Sequence, residues 1–219
     1  MERRSRGNRM SPVIKKKAEE LVRGAHSQQE MSERIIQFVR DQIFYNLDEW
    51  DVKPSEVLRK GRGMCAGKAL LAATLHRAVR IPVRFKVIKI FGEEGLFDFL
   101  KQKLEAGVLP SLLPEEREKI IKDILSLPPY RDHIVLQIFL DGEWIDFDIA
   151  RDTDLDTGMR ALGIWKKREI FSEEGIFNSL DGWLRRRMER RAVLQGRALF
   201  FQVVNQVIDE VRVKGRSIR

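Results

Sequence analysis

The chain has 219 residues, 43% of them hydrophobic and 34% charged, with a net charge of +8, which suits one well-buried domain with additions or at most two small ones. A single cysteine excludes an intramolecular disulfide, and with it a stapled secreted scaffold. No run approaches the roughly 18 apolar residues of a membrane span, and the basic start MERRSRGNRM leads into no apolar run of signal-peptide length, so the expected location is cytoplasmic.

Residues 1–12 are expected to be disordered and Val13 to about Ala25 to form a basic helix. Ser27 and Glu30 have capping-box spacing, and the helix they open repeats apolar residues at Ile35, Phe38, Val39 and Ile43. A linker follows, with Pro54 at the start of a short helix and Gly61 and Gly63 breaking the chain. Cys65 to Ala78 then reads as a helix with Leu70, Leu71, Thr74, Leu75 and Ala78 facing inward.

The pattern changes at IPVRFKVIKIFG, where Val83, Phe85 and Val87 alternate with Arg84 and Lys86 as in a strand. DHIVLQIFLDGEWIDFDIA gives a second and third strand joined through Asp141-Gly142, a strong hairpin signal. Residues 93–130 between them form a helical insertion, with Pro114, Glu115 and Glu116 as a good helix start. From Leu180 the chain is helical again, with an apolar stripe through Phe200, Val204, Val207 and Val211 that must be buried. Packing against the N-terminal helices is preferred over a dimer contact. Helices, then strands around a helical insertion, then helices make an α+β fold.

Charge is concentrated at the ends. Residues 1–23 carry eight Lys/Arg against three acids, and residues 185–219 carry ten against three. Such ends either present solvated helix faces or meet an anionic partner such as nucleic acid or lipid. No aromatics interleave the basic residues as single-strand binding favours, so solvated faces are the preferred reading.

Cys65 stands at a helix N-terminus, where unpaired amides and the helix dipole favour a thiolate; a buried core cysteine is the plain alternative. Among the three histidines, His76 lies about three turns along the same helix and His26 sits in a polar stretch before a cap. His133 opens a strand, where its ring can face a cleft. A catalytic histidine needs an acceptor for its second ring nitrogen. Asp146 and Asp148 share one face of the neighbouring strand, with Ile145 and Phe147 on the opposite, core-facing side, so either aspartate can supply that acceptor. Cys, His and Asp on adjacent elements form a nucleophile, base and orienter.

Three blocks resemble the transglutaminase-like superfamily, whose core is a circularly permuted relative of the papain fold. SEVLRKGRGMCAGKALLAATLHRAVRIPVRF is similar to its cysteine block, HIVLQIFLDGEW to its histidine-to-tryptophan segment, and WIDFD to its aspartate block. The upstream FVRDQIFYN also resembles the family helix ending in I-x-Y. The resemblance covers roughly residues 30–150 and implies a catalytic triad of Cys65, His133 and Asp148, on an antiparallel sheet packed against the cysteine helix. The chain departs from the family at Arg80, where glycine is usual, at Ile149-Ala150 after the aspartate, and in its longer insertion.

The chain then divides into a basic, partly helical extension over 1–26, a transglutaminase-like catalytic domain over 27–165 with the insertion 93–130, and a basic C-terminal helical segment over 166–219. The insertion is expected to shape or cover the cleft. Trp144 is expected to pack beneath the hairpin, and Arg84 to be either a buried partner of a carboxylate or an exposed strand residue. The Cys65 amide and a second donor, Tyr45 or Trp50, would form the oxyanion hole. One cysteine and three scattered histidines show no metal-ligand spacing, no calcium loop is present and GRGMCAGK lacks phosphate-loop spacing, so no metal or cofactor is expected.

The resemblance implies cysteine-dependent acyl transfer at amide bonds of a peptide or protein through a thioester. Hydrolysis, as in a protease or amidase, is favoured because compact members of the superfamily are often regarded as proteases. A protein-glutamine transglutaminase is the alternative within the fold, and a non-catalytic domain binding an anionic partner is the alternative outside enzymology.

Overall fold

Helix α1 (Pro12–Leu21) begins with proline in its first turn, where the missing amide costs nothing. The structure, a computed structural model, describes residues 11–91, 94–109, 111–189 and 198–218; the first ten residues, expected to be disordered, lie outside them. Helix α2 (Gln28–Asp41) is capped by Ser27, whose hydroxyl accepts from the Glu30 amide at 3.1 Å. The Glu30 carboxylate reaches back to the His26 amide at 2.8 Å, one residue earlier than a capping box requires.

A two-residue strand β1 (Phe44–Tyr45) and the short helix α3 (Pro54–Lys60) follow, and Gly61 ends α3 at φ 62°. Strand β2 (Arg62–Gly63) pairs in parallel with β1 and leads into α4 (Cys65–Ala78). At the far end of α4, Arg80 takes φ 62° and the Ile81 amide bonds the His76 carbonyl at 3.0 Å, a left-handed helix stop of the kind glycine makes without strain. The glycine that the resemblance leads one to expect here would take this conformation freely, and Arg80 keeps the same backbone shape without it.

The main sheet is antiparallel, in the order β5-β4-β3-β6. It contains β3 (Val83–Phe91), β4 (Arg131–Leu140), β5 (Glu143–Phe147) and β6 (Glu169–Phe177). Asp141 and Gly142, at φ 50° and 88°, close the tight β4–β5 turn. Val83, Phe85 and Val87 of β3 join Ile134, Leu136 and Ile138 of β4 in one core with Ala69, Leu71 and Leu75 of α4. Ile14, Ala18, Ile35 and Val39 enclose α4 from its other side. Leu71 and Leu75 are therefore buried as expected, while Leu70, Thr74 and Ala78 are only half-buried.

One expectation is corrected here. The segment 166–219 is not wholly helical, because β6 pairs along β3 with two register shifts. Ile145 and Phe147 pair with the core residues Ile138 and Leu136 and so share their core-facing side, as expected, but Ile145 is left 41% exposed because β5 is the edge strand, with no further strand beside it among the described residues. Trp144 packs as a tilted ring against Phe139, with centroids 5.2 Å apart, and is 36% exposed.

A second core lies under the insertion helices α5 (Glu94–Glu105) and α6 (Pro114–Leu125). It also includes α7 (Thr153–Ala161) and, after α8 (Asp181–Glu189), the long helix α9 (Ala198–Arg216). Phe200, Val204, Val207 and Val211 are all buried within the chain, but against α5 and α7 and not against the N-terminal helices. The apolar face of α1 is already spent on α4, and the leucines of α5 need the cover α9 gives. Of the arginine cluster before α9, Arg185 has a described side chain, and it is exposed. Among the described residues no helix is long and apolar enough to cross a membrane.

Two glycines set the α7–α9 contact. A Cβ on Gly158 would lie 1.9 Å from the Val211 carbonyl oxygen, and one on Gly215 would lie 1.9 Å from that of Asp154. Both obstacles are backbone atoms, which cannot rotate aside. Gly158→Ala is therefore expected to lower stability by about 3 kcal/mol or more, at or beyond the upper end of ordinary overpacking, as read from urea denaturation. A change within about 0.5 kcal/mol, the range of a neutral surface substitution, would contradict this helix contact.

Candidate active site

Cys65 is the first residue of α4, and the β1–β2 pairing fixes the chain just before it. The Phe44 amide bonds the Gly61 carbonyl at 2.9 Å and the Asn46 amide bonds that of Gly63 at 3.3 Å. The N-cap Met64 offers no side-chain bond to the first-turn amides, so the positive end of the helix is open to a developing negative charge beside the sulfur. Cys65 is 5% exposed.

His133 lies near the start of β4 and is 4% exposed. Its Nε2 bonds Asp148 Oδ2 at 3.0 Å, and Cys65 lines the same cavity as the ring. With Nε2 turned to the carboxylate, Nδ1 is the nitrogen left for the sulfur. Burial alone would strip the ring of its proton. The Asp148 charge and hydrogen bond, helped by Cys65 and opposed by Arg168, outweigh burial and push His133 up to about 9.

Asp148 follows β5 directly, one residue beyond the Leu136–Phe147 pair. Its Oδ1 accepts from the Ala150 amide at 3.1 Å, while Oδ2 accepts from both His133 and Arg168, the latter at 2.5 Å. Burial opposes its charge, yet the His133 contact, Arg168 and the Ala150 amide hold its carboxyl far below the usual carboxylate range. Asp146 is engaged elsewhere, with Gln137 at 2.5 Å and Lys86 at 3.3 Å. Of the two aspartates, Asp148 is the one that meets the histidine.

The other singled-out residues divide clearly. His76 is buried, with Nδ1 on the Ala72 carbonyl at 2.7 Å and Nε2 on the Ser32 hydroxyl at 3.1 Å, and burial lowers it to about 4. It is a neutral core histidine. His26 is exposed. Arg84 donates to Gln137 at 2.7 Å and lies 4.0 Å over the Trp144 ring, so its partners are an amide and an aromatic face. Ile149 and Ala150, where the chain departs from the family pattern, are core residues at 1% exposure.

A cavity of about 100 Å³ adjoins Cys65 and His133. Tyr45, Trp50 and Met64 line it, and so do Leu96 and Phe97 of the insertion. The insertion thus borders the site, as expected. Both candidate donors, Tyr45 and Trp50, reach this cavity; Trp50 is fixed edge-on against Trp183, with centroids 5.3 Å apart. Among the described residues no group of three or more His, Cys, Asp or Glu side chains could hold a metal ion.

A family model for the transglutaminase-like superfamily matches residues 15–149, more than half of the chain. The chain belongs to that superfamily. A solved structure from Cytophaga hutchinsonii, described as a "Putative Cysteine Protease", is similar at 15% identity and a TM-score of 0.47. The similarity covers 77% of this chain and 43% of the other, so the chain spans less than half the length of that protein. A search of curated proteins finds no match.

Two residues of this transglutaminase-like site were not foreseen from the sequence. Arg168 sits in the loop before β6, and only the tertiary fold brings it to Asp148. Lys68, one turn after Cys65, is fully buried with its Nζ on the Arg40 carbonyl at 3.0 Å, and burial lowers it to about 7. Its spacing on an apolar helix was the available signal.

The raised His133 value has a definite sign. Its protonated form is favoured in the folded state, so that contribution is complete below the ordinary histidine value and lost as pH rises through about 9. Imidazole NMR is expected to show His133 titrating well above the ordinary histidine value. Asp148→Asn should lower its midpoint by more than one unit, and Arg168→Gln should raise it. A midpoint unmoved by Asp148→Asn would contradict the pairing.

Proposed function

We propose that the protein is a cysteine-dependent enzyme that cleaves amide bonds of peptides or proteins through a thioester, with Cys65 as nucleophile, His133 as acid and base, and Asp148 as orienter. The observation that carries this reading is the His133 ring bonded to Asp148 at 3.0 Å and facing the same cavity as Cys65. A buried structural histidine such as His76 is neutral, whereas this one is arranged to stay charged beside a thiol.

In the forward step the Cys65 sulfur, as thiolate, attacks the amide carbonyl carbon. The carbon–sulfur bond forms and the carbonyl electron pair moves onto oxygen, where the Cys65 amide and a second donor from Tyr45 or Trp50 stabilise it. When the oxyanion collapses, the carbon–nitrogen bond breaks and the His133 imidazolium passes its proton to the departing amine. The neutral imidazole then takes a proton from water as that water attacks the thioester. The carbon–sulfur bond breaks, the acid product leaves, and the thiolate and imidazolium are restored. A primary amine in place of water would give transamidation by the same steps.

Mass spectrometry of a glutamine-containing peptide mixture, incubated with and without a primary amine, separates the outcomes. Cleavage or deamidation products supported by wild type and abolished in Cys65→Ala and His133→Ala are expected. Asp148→Asn should retain more activity than either, since an orienter acts through another group. Amine incorporation exceeding hydrolysis would reassign the chain as a transglutaminase. No product with any peptide would favour a binding domain, and full activity in His133→Ala would overturn the triad.

A further inference from the structure

Asp148 borders a second cavity, of about 290 Å³, that shares no lining residue with the one beside Cys65. This volume is near the lower end of small-molecule sites, which run from roughly 300 to 1,000 Å³. Four arginines line it, Arg40, Arg151, Arg160 and Arg168, against three aspartates. Two of those aspartates also face cations that stand outside the lining. Asp148 meets His133 at 3.0 Å, and Asp152 meets Arg212 at 2.9 Å. The third, Asp156, lies between Arg151 at 3.3 Å and Arg160 at 3.4 Å, longer than close charge-assisted bonds.

The lining therefore carries more positive than negative charge. Its guanidinium forks come from four separate points of the chain. Arg160 is stacked 3.8 Å over the Trp165 ring, and Arg40 lies against Asp41 at 2.9 Å. Both remain about half exposed, so they stand where a ligand would enter. Each fork matches two oxygens of an oxyanion, and several forks around one cavity suit a tetrahedral dianion better than a two-oxygen carboxylate.

We propose that this cavity binds a small phosphate-bearing anion, gripped by Arg40, Arg151 and Arg160, with Arg168 linking it to Asp148. Free phosphate and a phosphate ester present the same chemistry to these forks. Because Arg168 also touches Asp148, the bound anion offsets the field of Arg168 and favours the charged form of His133. Occupancy of this site thus tunes the neighbouring histidine, whatever reaction Cys65 performs.

Isothermal titration calorimetry with inorganic phosphate and with glycerol phosphate, at ionic strength held constant with chloride, tests the site without using turnover. Saturable binding of one anion per chain is expected, weakened about tenfold or more in Arg160→Gln and in Arg40→Gln. Tighter binding of the ester assigns an organic phosphate, and tighter binding of phosphate assigns the free ion. Saturating anion should also raise the His133 titration midpoint by NMR. Absence of saturable binding at millimolar concentrations, or unchanged affinity in both variants, would overturn the site. Binding that leaves the His133 midpoint unmoved would overturn the coupling through Arg168.

Discussion

A buried imidazole keeps its proton only beside an anion, and the His133–Asp148 hydrogen bond supplies that anion. Desolvation works against both partners, and the imidazole keeps its charge only while Asp148 stays within contact distance. The demand falls hardest on Asp148, which follows an edge strand. The Ala150 amide and Arg168 hold it from two further directions. The tight turn at Asp141-Gly142 fixes the β4–β5 register, and a slip of one residue would turn Asp148 to the opposite face.

The chain just beyond Asp148 is anchored by a second buried pair. Asp152 caps α7, bonding the Leu155 amide at 3.0 Å, and also accepts from the Tyr45 amide at 3.1 Å. Arg212 of α9 meets both oxygens of Asp152 and donates to the Tyr45 carbonyl at 2.7 Å. One ion pair thus ties the C-terminal helix to β1 and to the start of α7. Such a pair adds little net stability over apolar packing, but losing one partner strands a buried charge at a cost of about 3–5 kcal/mol. The basic C-terminal helix therefore fixes Tyr45, which lines the cavity beside Cys65.

The parts of the fold with strong local grammar were legible in the sequence. The Cys65–Ala78 helix, the Asp141-Gly142 hairpin and the strand through Val83, Phe85 and Val87 each rest on periodicity or turn chemistry within a few residues. Adjacent strands brought His133 to Asp146 and Asp148 alike, and only the family resemblance singled out Asp148. Strand β6 escaped notice because its sequence, EIFSEEGIF, does not alternate cleanly. Gly175 lies within it at φ 138°, and its pairing with β3 is broken by register shifts. Arg168, the partner of α9 and the exposure of Ile145 depend on contacts between distant segments, which no local pattern encodes. Arg80 carries a milder lesson: its left-handed backbone is a glycine position filled by another residue.

The central claim is that the Cys65 sulfur itself becomes acylated with help from His133. Rapid acid quench of the protein with an activated peptide ester, followed by mass spectrometry of the fragment containing Cys65, tests it most directly. The account predicts an acyl group on Cys65 that disappears on chase with water or amine and forms far more slowly in His133→Ala. Product formation that persists in Cys65→Ser, with no acyl group on the wild-type Cys65 fragment, would contradict it.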